Sequence, residues 1–427
     1  MSSNYNTYTL ANGLRIIHKP SVAKVVYCGY QIAAGTRHEL PGEEGMAHFC
    51  EHMTFKGTRT RNALQIINSL EQLGGDLNAF TNKEDTTFYA AIQKEHIAKT
   101  IGLLTDIVFN STYPKHEIDK EVEVICDEIE SYNDSPAELI YDEFENMLFE
   151  GHPLGHNILG QAEQLRTYTT EDALRFVRRN YRPDNAVFFI YGDVEFKKII
   201  KLCSVAFAMR QQDNDGICNA VGITNPQITS SCIANAAEQG GAAEPSTTIT
   251  REIGSHQAHV MIGTVGYDIH HPMRIPLYLL NNILGGPSMN ARLNLALRER
   301  NGLVYTVEST MVSYSDTGMW SIYFGCDPHD VNKCLRLVRR ELDKVMQKPL
   351  SANALRIAKQ QLKGQIAVAC DNREQFALDF GKSFLHYGWE KNVDRLFESI
   401  DKVSADDIQK VANELFATNK LKVLIFR

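Results

Sequence analysis

Several features that mark other protein classes are missing from this chain of 427 residues. None of its nine cysteines forms a C-x-x-C pair, which argues against a zinc site built on thiolates and favours reduced cysteines. The start of the sequence lacks the charged segment and apolar run of a signal peptide, and no stretch approaches the roughly 18 apolar residues of a membrane span. We therefore expect a cytoplasmic protein that does not cross a membrane.

An excess of basic residues is also missing. The 44 Lys and Arg are outnumbered by 52 Asp and Glu, which gives a formal net charge of -8. Nucleic-acid-binding proteins usually present a basic face, so this balance argues against a nucleic-acid partner. The chain does contain 43% hydrophobic and 22% charged residues, as globular proteins do, and its length predicts two domains.

The two halves of the chain show the same order of predicted elements, which indicates an internal repeat. Each half opens with a strand-like segment, continues with a helix, a Gly-Gly turn, a β-hairpin and long helices, and closes on a buried-type strand. The Gly-Gly turns are Gly74-Gly75 in the first half and Gly285-Gly286 in the second. This order predicts two homologous domains of α+β class, each with a mostly antiparallel sheet covered by helices.

Composition changes between the two halves. Residues 210–247 are rich in Gln, Asn, Ser, Ala and Gly and have no hydrophobic period, which predicts a surface linker. We therefore place the first domain at 1–209 and the second, degenerate repeat at 248–427.

The most informative motif is the H-x-x-E-H pattern of His48, Glu51 and His52. Acidic residues at 43 and 44 and a glycine at 57 bound the segment, as at the ends of a helix. On a helix, His48 and His52 are one turn apart and can hold one zinc ion together. Glu51 lies beside them, where a carboxylate can act as a general base without binding the metal.

A catalytic zinc site needs a third protein ligand. The apolar residues of 116–129 follow a helical period, and Glu121 and Glu128 lie along one edge of that apolar face. A carboxylate beside a buried face needs a partner, and a metal ion or a metal-bound histidine would supply one. Spacing alone does not decide which of the two glutamates binds the metal.

The whole chain resembles the metallopeptidases with the inverted zinc motif, the family of insulin-degrading enzyme, pitrilysin and the mitochondrial processing peptidases. The resemblance rests on ANGLR, GTRHE, HFCEHMTFKGT and NAFTNKEDT. It implies a zinc peptidase in which Glu128, 76 residues after His52, is the third ligand and Glu51 is the general base. It also implies that Glu121 supports the metal ligands without binding the metal itself.

The same resemblance implies how a peptide is held. Asn78 and Ala79 match positions on an exposed strand to which the substrate adds as a further strand. The second half has no metal motif, but its segment LRERNGLVY carries Arg298 and Tyr305, seven residues apart. In the family such a pair reaches the catalytic site from the opposite domain, where it can stabilise the oxyanion of the reaction.

The chain resembles the half-size members of the family, in which two chains enclose the substrate. Because the metal motif and the Arg298 and Tyr305 pair lie on one chain, we expect a homodimer with composite sites that hydrolyses short or unfolded peptides. The main alternative is a non-catalytic scaffold or partner subunit of a processing-peptidase-like assembly. A metal-binding module without hydrolysis is a second alternative, although such a module has no use for Glu51.

Overall fold

A computed structural model describes residues 5–214 and 247–427 of the chain. The described residues form eleven strands: β1 (Asn6–Thr9), β2 (Arg15–Pro20), β3 (Val25–Ile32), β4 (Asp76–Thr81), β5 (Thr86–Gln93), β6 (Ala186–Gly192), β7 (Thr248–Arg251), β8 (Ala258–Gly266), β9 (Val304–Ser313), β10 (Gly318–Cys326) and β11 (Lys422–Phe426). They also form fourteen α-helices: α1 (Met46–Thr54), α2 (Ala63–Glu71), α3 (Ile97–Asn110), α4 (Lys115–Asn133), α5 (Pro136–Leu148), α6 (Ala162–Leu165), α7 (Thr170–Asn180), α8 (Phe196–Asn214), α9 (Arg274–Gly285), α10 (Val331–Gln347), α11 (Ala352–Ala369), α12 (Arg373–Tyr387), α13 (Val393–Lys402) and α14 (Ala405–Leu415). Shorter helical turns lie at Thr36–His38, Lys94–His96, Pro183–Asn185 and Pro328–Asp330, and a π-helical segment at Asn294–Glu299.

The two sheets share one topology. The first has the strand order β1-β2-β6-β3-β5-β4, and the second has the order β7-β11-β8-β10-β9. One pair in each sheet is parallel, β2 with β6 and β7 with β11, and the other pairs are antiparallel. The second sheet therefore repeats the first without an equivalent of β1. The predicted α+β fold with mostly antiparallel sheets is confirmed.

Both faces of each sheet are buried. Successive residues of a strand point to opposite faces of the sheet, and each face packs into its own hydrophobic cluster. In the first sheet, Ile16 and Phe188 pack into the core formed with helices of their own half. Their neighbours Ile17 and Phe189 face the other way and pack into a separate cluster. The second sheet has the same two-sided arrangement.

The outer face of each sheet is covered by a helix from the other half of the chain. Helix α12 packs Phe380 against Phe189 of the first sheet, and helix α5 packs Phe144 in a cluster with Met261 of the second. The backbone of α12 comes so close that a Cβ atom added to Gly381 would lie 2.4 Å from Oε1 of Gln31. This exchange interlocks the two halves, and it was not predicted from the sequence.

The predicted order of elements is present in both halves, with one difference. The β4–β5 hairpin follows directly after Gly74-Gly75, but Gly285-Gly286 lie at the end of α9 and are separated from the β9–β10 hairpin by the π-helical segment. The prediction that the two Gly-Gly pairs are equivalent turns is therefore wrong. Gly302, with a φ of +60°, precedes the second hairpin at the place where Gly74, with a φ of +69°, precedes the first.

The predicted linker 210–247 lies almost entirely outside the described residues. Its first five residues belong to the end of α8, so this helix runs past the expected boundary at 209. The seven cysteines within the described residues are unpaired. Among the described helices, none combines the length and apolar character needed to cross a bilayer. A cytoplasmic location stays a prediction from the sequence.

Candidate metal centre

Helix α1 carries the H-x-x-E-H motif through the core of the first half. The helix begins after Gly45, whose φ of +88° is a backbone conformation that favours glycine. Its first backbone amides are bound by Glu39, a side chain that is 1% exposed: its carboxylate accepts hydrogen bonds from the amides of Gly45 at 3.0 Å and Ala47 at 2.8 Å. A carboxylate at this end of a helix also interacts favourably with the helix dipole.

The helix therefore starts for a different reason than the sequence indicated. Glu43 was expected to begin it, but the Glu43 carboxylate instead pairs with Arg179 and accepts a hydrogen bond from the amide of Leu40. Glu39 is held in place by Nε2 of His156, at 2.8 Å. The sequence patterns did not identify Glu39 and His156 as neighbours of the motif, because their proximity depends on the folded loop 149–160.

Helix α4 supplies the two glutamates and packs against α1. Ile118, Val122 and Ile125 are buried, as the helical period predicted. Glu121 is buried beside them, whereas the side chain of Glu128 is 45% exposed. The two carboxylates that looked equivalent in the sequence thus have different surroundings.

His48, His52 and Glu128 form one cluster, with a possible ligand atom from each residue within 4.8 Å of the other two. One carboxylate oxygen of Glu128 lies 3.9 Å from Nε2 of His48, and the other lies 3.5 Å from Nε2 of His52. Zinc bonds of ~2.0 to 2.1 Å in a tetrahedron would place ligand atoms about 3.4 Å apart. Small side-chain movements would therefore bring the three groups onto one ion.

The donor set also fits the kind of zinc site that performs catalysis. Two imidazoles and one carboxylate leave one of four positions open, as such sites require. The far nitrogen of His52, Nδ1, lies 3.0 Å from Glu121, which also pairs with Nζ of Lys56 at 2.5 Å. A carboxylate behind a ligating histidine fixes the ring and its tautomer. Among the described residues, Nδ1 of His48 has no such partner, although it is buried.

The two histidines differ in charge when no metal is bound. Burial lowers the pKa of His48, and the nearby His52 lowers it further. Burial also acts to lower the pKa of His52, but the hydrogen bonds to Glu121 and Glu128 outweigh it and raise this pKa to about 9. His48 is therefore ready to bind a metal at neutral pH, and His52 must first lose a proton.

Glu51 lies on the same helix but does not join the cluster. Its side chain is 8% exposed, and burial raises the pKa of its carboxyl group although a hydrogen bond from Thr81 opposes the shift. The Thr81 hydroxyl donates that bond to Oε2 of Glu51 at 2.6 Å. A raised pKa makes this carboxylate a better proton acceptor than an exposed glutamate, as a general base requires.

Asn78 and Ala79 lie in β4, which is an edge strand of the first sheet. Among the described residues, β4 pairs only with β5, so one side of the strand has free backbone amides and carbonyls. Asn78 is exposed and Ala79 is half-buried. Helix α1 packs against β4, so this free edge runs beside the helix that carries the metal cluster.

Arg298 and Tyr305 lie in the second half, where they contact each other. Arg298 belongs to the π-helical segment, Tyr305 is the second residue of β9, and the guanidinium carbon lies 5.5 Å from the centre of the tyrosine ring. Tyr305 is 81% exposed. Both line a cavity of about 740 Å³ between β9 and helices α9 and α11. Within the described parts of the chain, no hydrogen bond, ion pair or ring contact joins them to the residues of the motif.

Comparisons with known proteins assign the chain to a family. Residues 15–162 match the family described as insulinase, peptidase family M16, and residues 167–362 match the one described as peptidase M16 inactive domain. A protein of Bacillus subtilis named as an uncharacterized zinc protease is 31% identical over 420 residues, which cover 98% of this chain and 97% of that protein. Another uncharacterized zinc protease, from Rickettsia bellii, is 30% identical over 427 residues, with 100% and 98% coverage.

Two solved structures share the fold. One is the crystal structure of a protease from Helicobacter pylori, which superposes with a TM-score of 0.86 at 20% identity and covers 99% of both chains. The other is described as a peptidase M16 inactive domain from Pseudomonas fluorescens, with a TM-score of 0.84 at 19% identity and coverage of 99% of this chain and 98% of that one. At this identity the two structures support the fold alone.

Proposed function

Because the chain belongs to the insulinase family, peptidase family M16, we propose that it is a zinc-dependent endopeptidase acting on short or unfolded peptides. The observation that carries the proposal is the cluster of His48, His52 and Glu128 on two packed helices, with Glu51 on the same helix as the histidines. A purely structural zinc site would use a fourth protein ligand and would need no general base. The relatives named as zinc proteases support the same reading.

In this proposal, Nε2 of His48, Nε2 of His52 and a carboxylate oxygen of Glu128 would hold the metal. A bound zinc ion supplies a Lewis acid that activates water for attack on a peptide carbonyl. Glu121 accepts the Nδ1 proton of His52 in a hydrogen bond and so keeps Nε2 free for binding. Lys56 pairs with Glu121 and stabilises it as the carboxylate anion.

Glu51 moves the protons of the reaction. Its Oε2 atom is occupied by the Thr81 hydroxyl, which leaves Oε1 to accept a proton from the attacking water. The protonated Glu51 then delivers that proton to the nitrogen of the leaving amine. Its buried surroundings favour the neutral form, so the transfer in both directions is energetically feasible.

The peptide is held in extended form along the free edge of β4. The backbone groups of this strand can pair with a peptide of almost any sequence, because main-chain hydrogen bonds make no demand on side chains. Asn78 is exposed and can add a side-chain contact, whereas Ala79 packs against the core of the first half and would contribute its backbone alone. This mode of binding favours peptides without stable structure of their own.

We further propose that the active form is a homodimer in which Arg298 and Tyr305 serve the metal site of the partner chain. The charge distribution supports a contact between unlike halves. Residues 5–214 contain 21 Lys and Arg against 30 Asp and Glu, whereas residues 247–427 contain 23 against 19. An acidic first half facing the basic second half of another copy is electrostatically complementary. The two halves would then enclose a chamber that admits short or unfolded chains.

Removal and return of the metal test the proposal. Wild-type protein is assayed on a quenched fluorescent peptide while its bound metal is quantified. About one zinc per chain, loss of cleavage on chelation and recovery on adding zinc would support the peptidase. Zinc-loaded protein that cuts no peptide would instead favour the non-catalytic scaffold or partner subunit.

A further inference from the structure

The hydroxyl of Thr81 connects the free edge of the first sheet to the general base. We propose that Thr81 is a positioning residue that orients Glu51 and links the binding of a peptide on β4 to the placement of that base. This inference rests on the proposed function, because it assigns Thr81 a role in the same reaction.

The hydrogen bond between Thr81 and Glu51 is short and has no substitute. Oγ1 of Thr81 lies 2.6 Å from Oε2 of Glu51, a distance typical of a hydroxyl donating to a carboxylate. Among the described residues, no other side chain donates a hydrogen bond to Glu51. A buried carboxylate with one donor has its plane and its free oxygen set by that donor alone.

The hydrogen-bond pattern around Thr81 also fixes the direction of the donation. Thr86, its partner in the β4–β5 hairpin, gives its own hydroxyl proton to the carbonyl oxygen of Ala34 at 2.7 Å. The hydroxyls of Thr81 and Thr86 lie 3.5 Å apart, so Thr81 does not need its proton for that neighbour. The single proton of the Thr81 hydroxyl is therefore available to Glu51.

The position of Thr81 in the sheet connects Glu51 to a peptide bound on β4. Thr81 is the last residue of β4, two residues after Ala79 and three after Asn78. A peptide that adds to this edge forms hydrogen bonds with the β4 backbone and so restrains the strand in one register. Any restraint on the backbone of β4 is passed through the Thr81 side chain to the carboxylate of Glu51.

Three single substitutions separate this role from a merely structural one. Thr81→Val removes the hydroxyl and keeps the branched shape, and Thr81→Ser keeps the hydroxyl. Thr87→Val is the matched control, because Thr87 lies on the neighbouring strand β5 and its buried hydroxyl has no hydrogen-bond partner among the described residues. Each variant is purified with zinc and assayed for kcat, KM and zinc content, and its crystal structure is determined.

Thr81→Val is expected to lower kcat by about 10- to 100-fold, the effect of losing a hydrogen bond to a charged group and misplacing a catalytic carboxylate. KM and the zinc content should stay within about twofold of wild type, because neither the β4 backbone nor a metal ligand changes. Thr81→Ser should recover most of the lost kcat, and Thr87→Val should match wild type. In the crystal structures, the Glu51 carboxylate should rotate in Thr81→Val and keep its position in the other two.

Three results would overturn the inference: a kcat for Thr81→Val within twofold of wild type, an equal loss in Thr81→Ser, or an unmoved Glu51 in the Thr81→Val crystal structure. A rise in KM with unchanged kcat would also overturn it, since it would assign Thr81 to substrate binding alone. Wild-type protein that holds zinc and cuts nothing would count against the proposed function. In that case the position of Glu51 in the crystal structures still decides whether Thr81 orients it.

Discussion

Oε1 of Glu121 lies 3.0 Å from Nδ1 of His52, while the other ring nitrogen of His52 faces Glu128 at 3.5 Å. One imidazole is thus held between a buried carboxylate and an exposed one. The ring is oriented for metal binding before any metal arrives. The same two carboxylates raise the pKa of His52, so the proton on Nε2 that a metal must displace is held more tightly.

Zinc binding is expected to release a proton from His52. The pKa of His52 is raised to about 9, so the ring is protonated at pH 7.5, and Nε2 must lose its proton to bind zinc. Because this pKa is raised above the ordinary value, the apparent zinc affinity of the metal-free protein should increase about tenfold per pH unit from pH 7 up to pH 9. Isothermal titration calorimetry at pH 7.5 in buffers of different ionisation enthalpy measures the released proton.

The Glu121→Gln variant provides the control for this measurement. The amide keeps the size of the side chain but removes its charge, so the pKa of His52 falls and fewer protons are released on binding at pH 7.5. An affinity of the wild type that is equal at pH 7 and pH 9 would contradict the raised pKa of His52.

The candidate site was accessible to sequence reasoning because its signals are local or of fixed spacing. His48, Glu51 and His52 lie on one helical turn, and the distance from His52 to Glu128 matches the family pattern. The helical period around Ile118 and Val122 placed Glu121 and Glu128 beside the buried face before the fold was known. Thr81 and Glu39 lie in the segments NAFTNKEDT and GTRHE, but the sequence assigned them no role, because each reaches α1 through the fold rather than along the chain.

The exchange of helices between the halves could not be predicted in the same way. The amphipathic patterns of α5 and α12 show that each helix buries one face, but a hydrophobic period does not specify which sheet receives it. The contact depends on shape, such as the close approach of Gly381 to Gln31 and Phe189. A glycine inside a helix does not reveal such a contact, because Gly102 and Gly364 also lie inside helices and have no close neighbour at the position of a Cβ atom.

Mixing two inactive variants tests the composite site. A Tyr305→Phe chain keeps the metal motif, and a Glu51→Gln chain keeps Arg298 and Tyr305. If each site draws on both chains of a homodimer, mixed dimers contain one complete site, and up to about a quarter of wild-type activity should return after exchange of subunits. The rate of peptide cleavage is measured for each variant alone and for the mixture. No recovery, with subunit exchange verified by differently tagged chains, would count against the composite site.

Asp85 is expected to stabilise the contact between the halves. It is fully buried in the β4–β5 hairpin and pairs with His386 at 3.0 Å and Lys382 at 2.9 Å, both on α12. Burial alone would raise the pKa of Asp85, but the hydrogen bond from His386 and the charge of Lys382 outweigh it and lower this pKa. The Asp85→Asn variant should lose about 3 to 5 kcal/mol at pH 7, as when one partner of a buried ion pair is removed.

The effect of this substitution should depend on pH with a definite sign. A lowered pKa stabilises the folded state above the ordinary aspartate value of about 3.9, and the contribution is lost as the pH falls further. The difference in melting temperature between wild type and Asp85→Asn should persist from pH 8 to pH 5 and should shrink below about pH 4. A difference that disappears already at pH 6 would show that Asp85 is not the group responsible.

Glu51 is the residue on which the proposed mechanism depends most directly. The decisive measurement compares wild type with Glu51→Gln for zinc content and for cleavage of a quenched fluorescent peptide. We expect about one zinc per chain in both proteins and a loss of about 10²- to 10⁴-fold in kcat for the variant, the range for removing a general base. A Glu51→Gln protein that retains its zinc and cuts as fast as wild type would contradict the proposed mechanism.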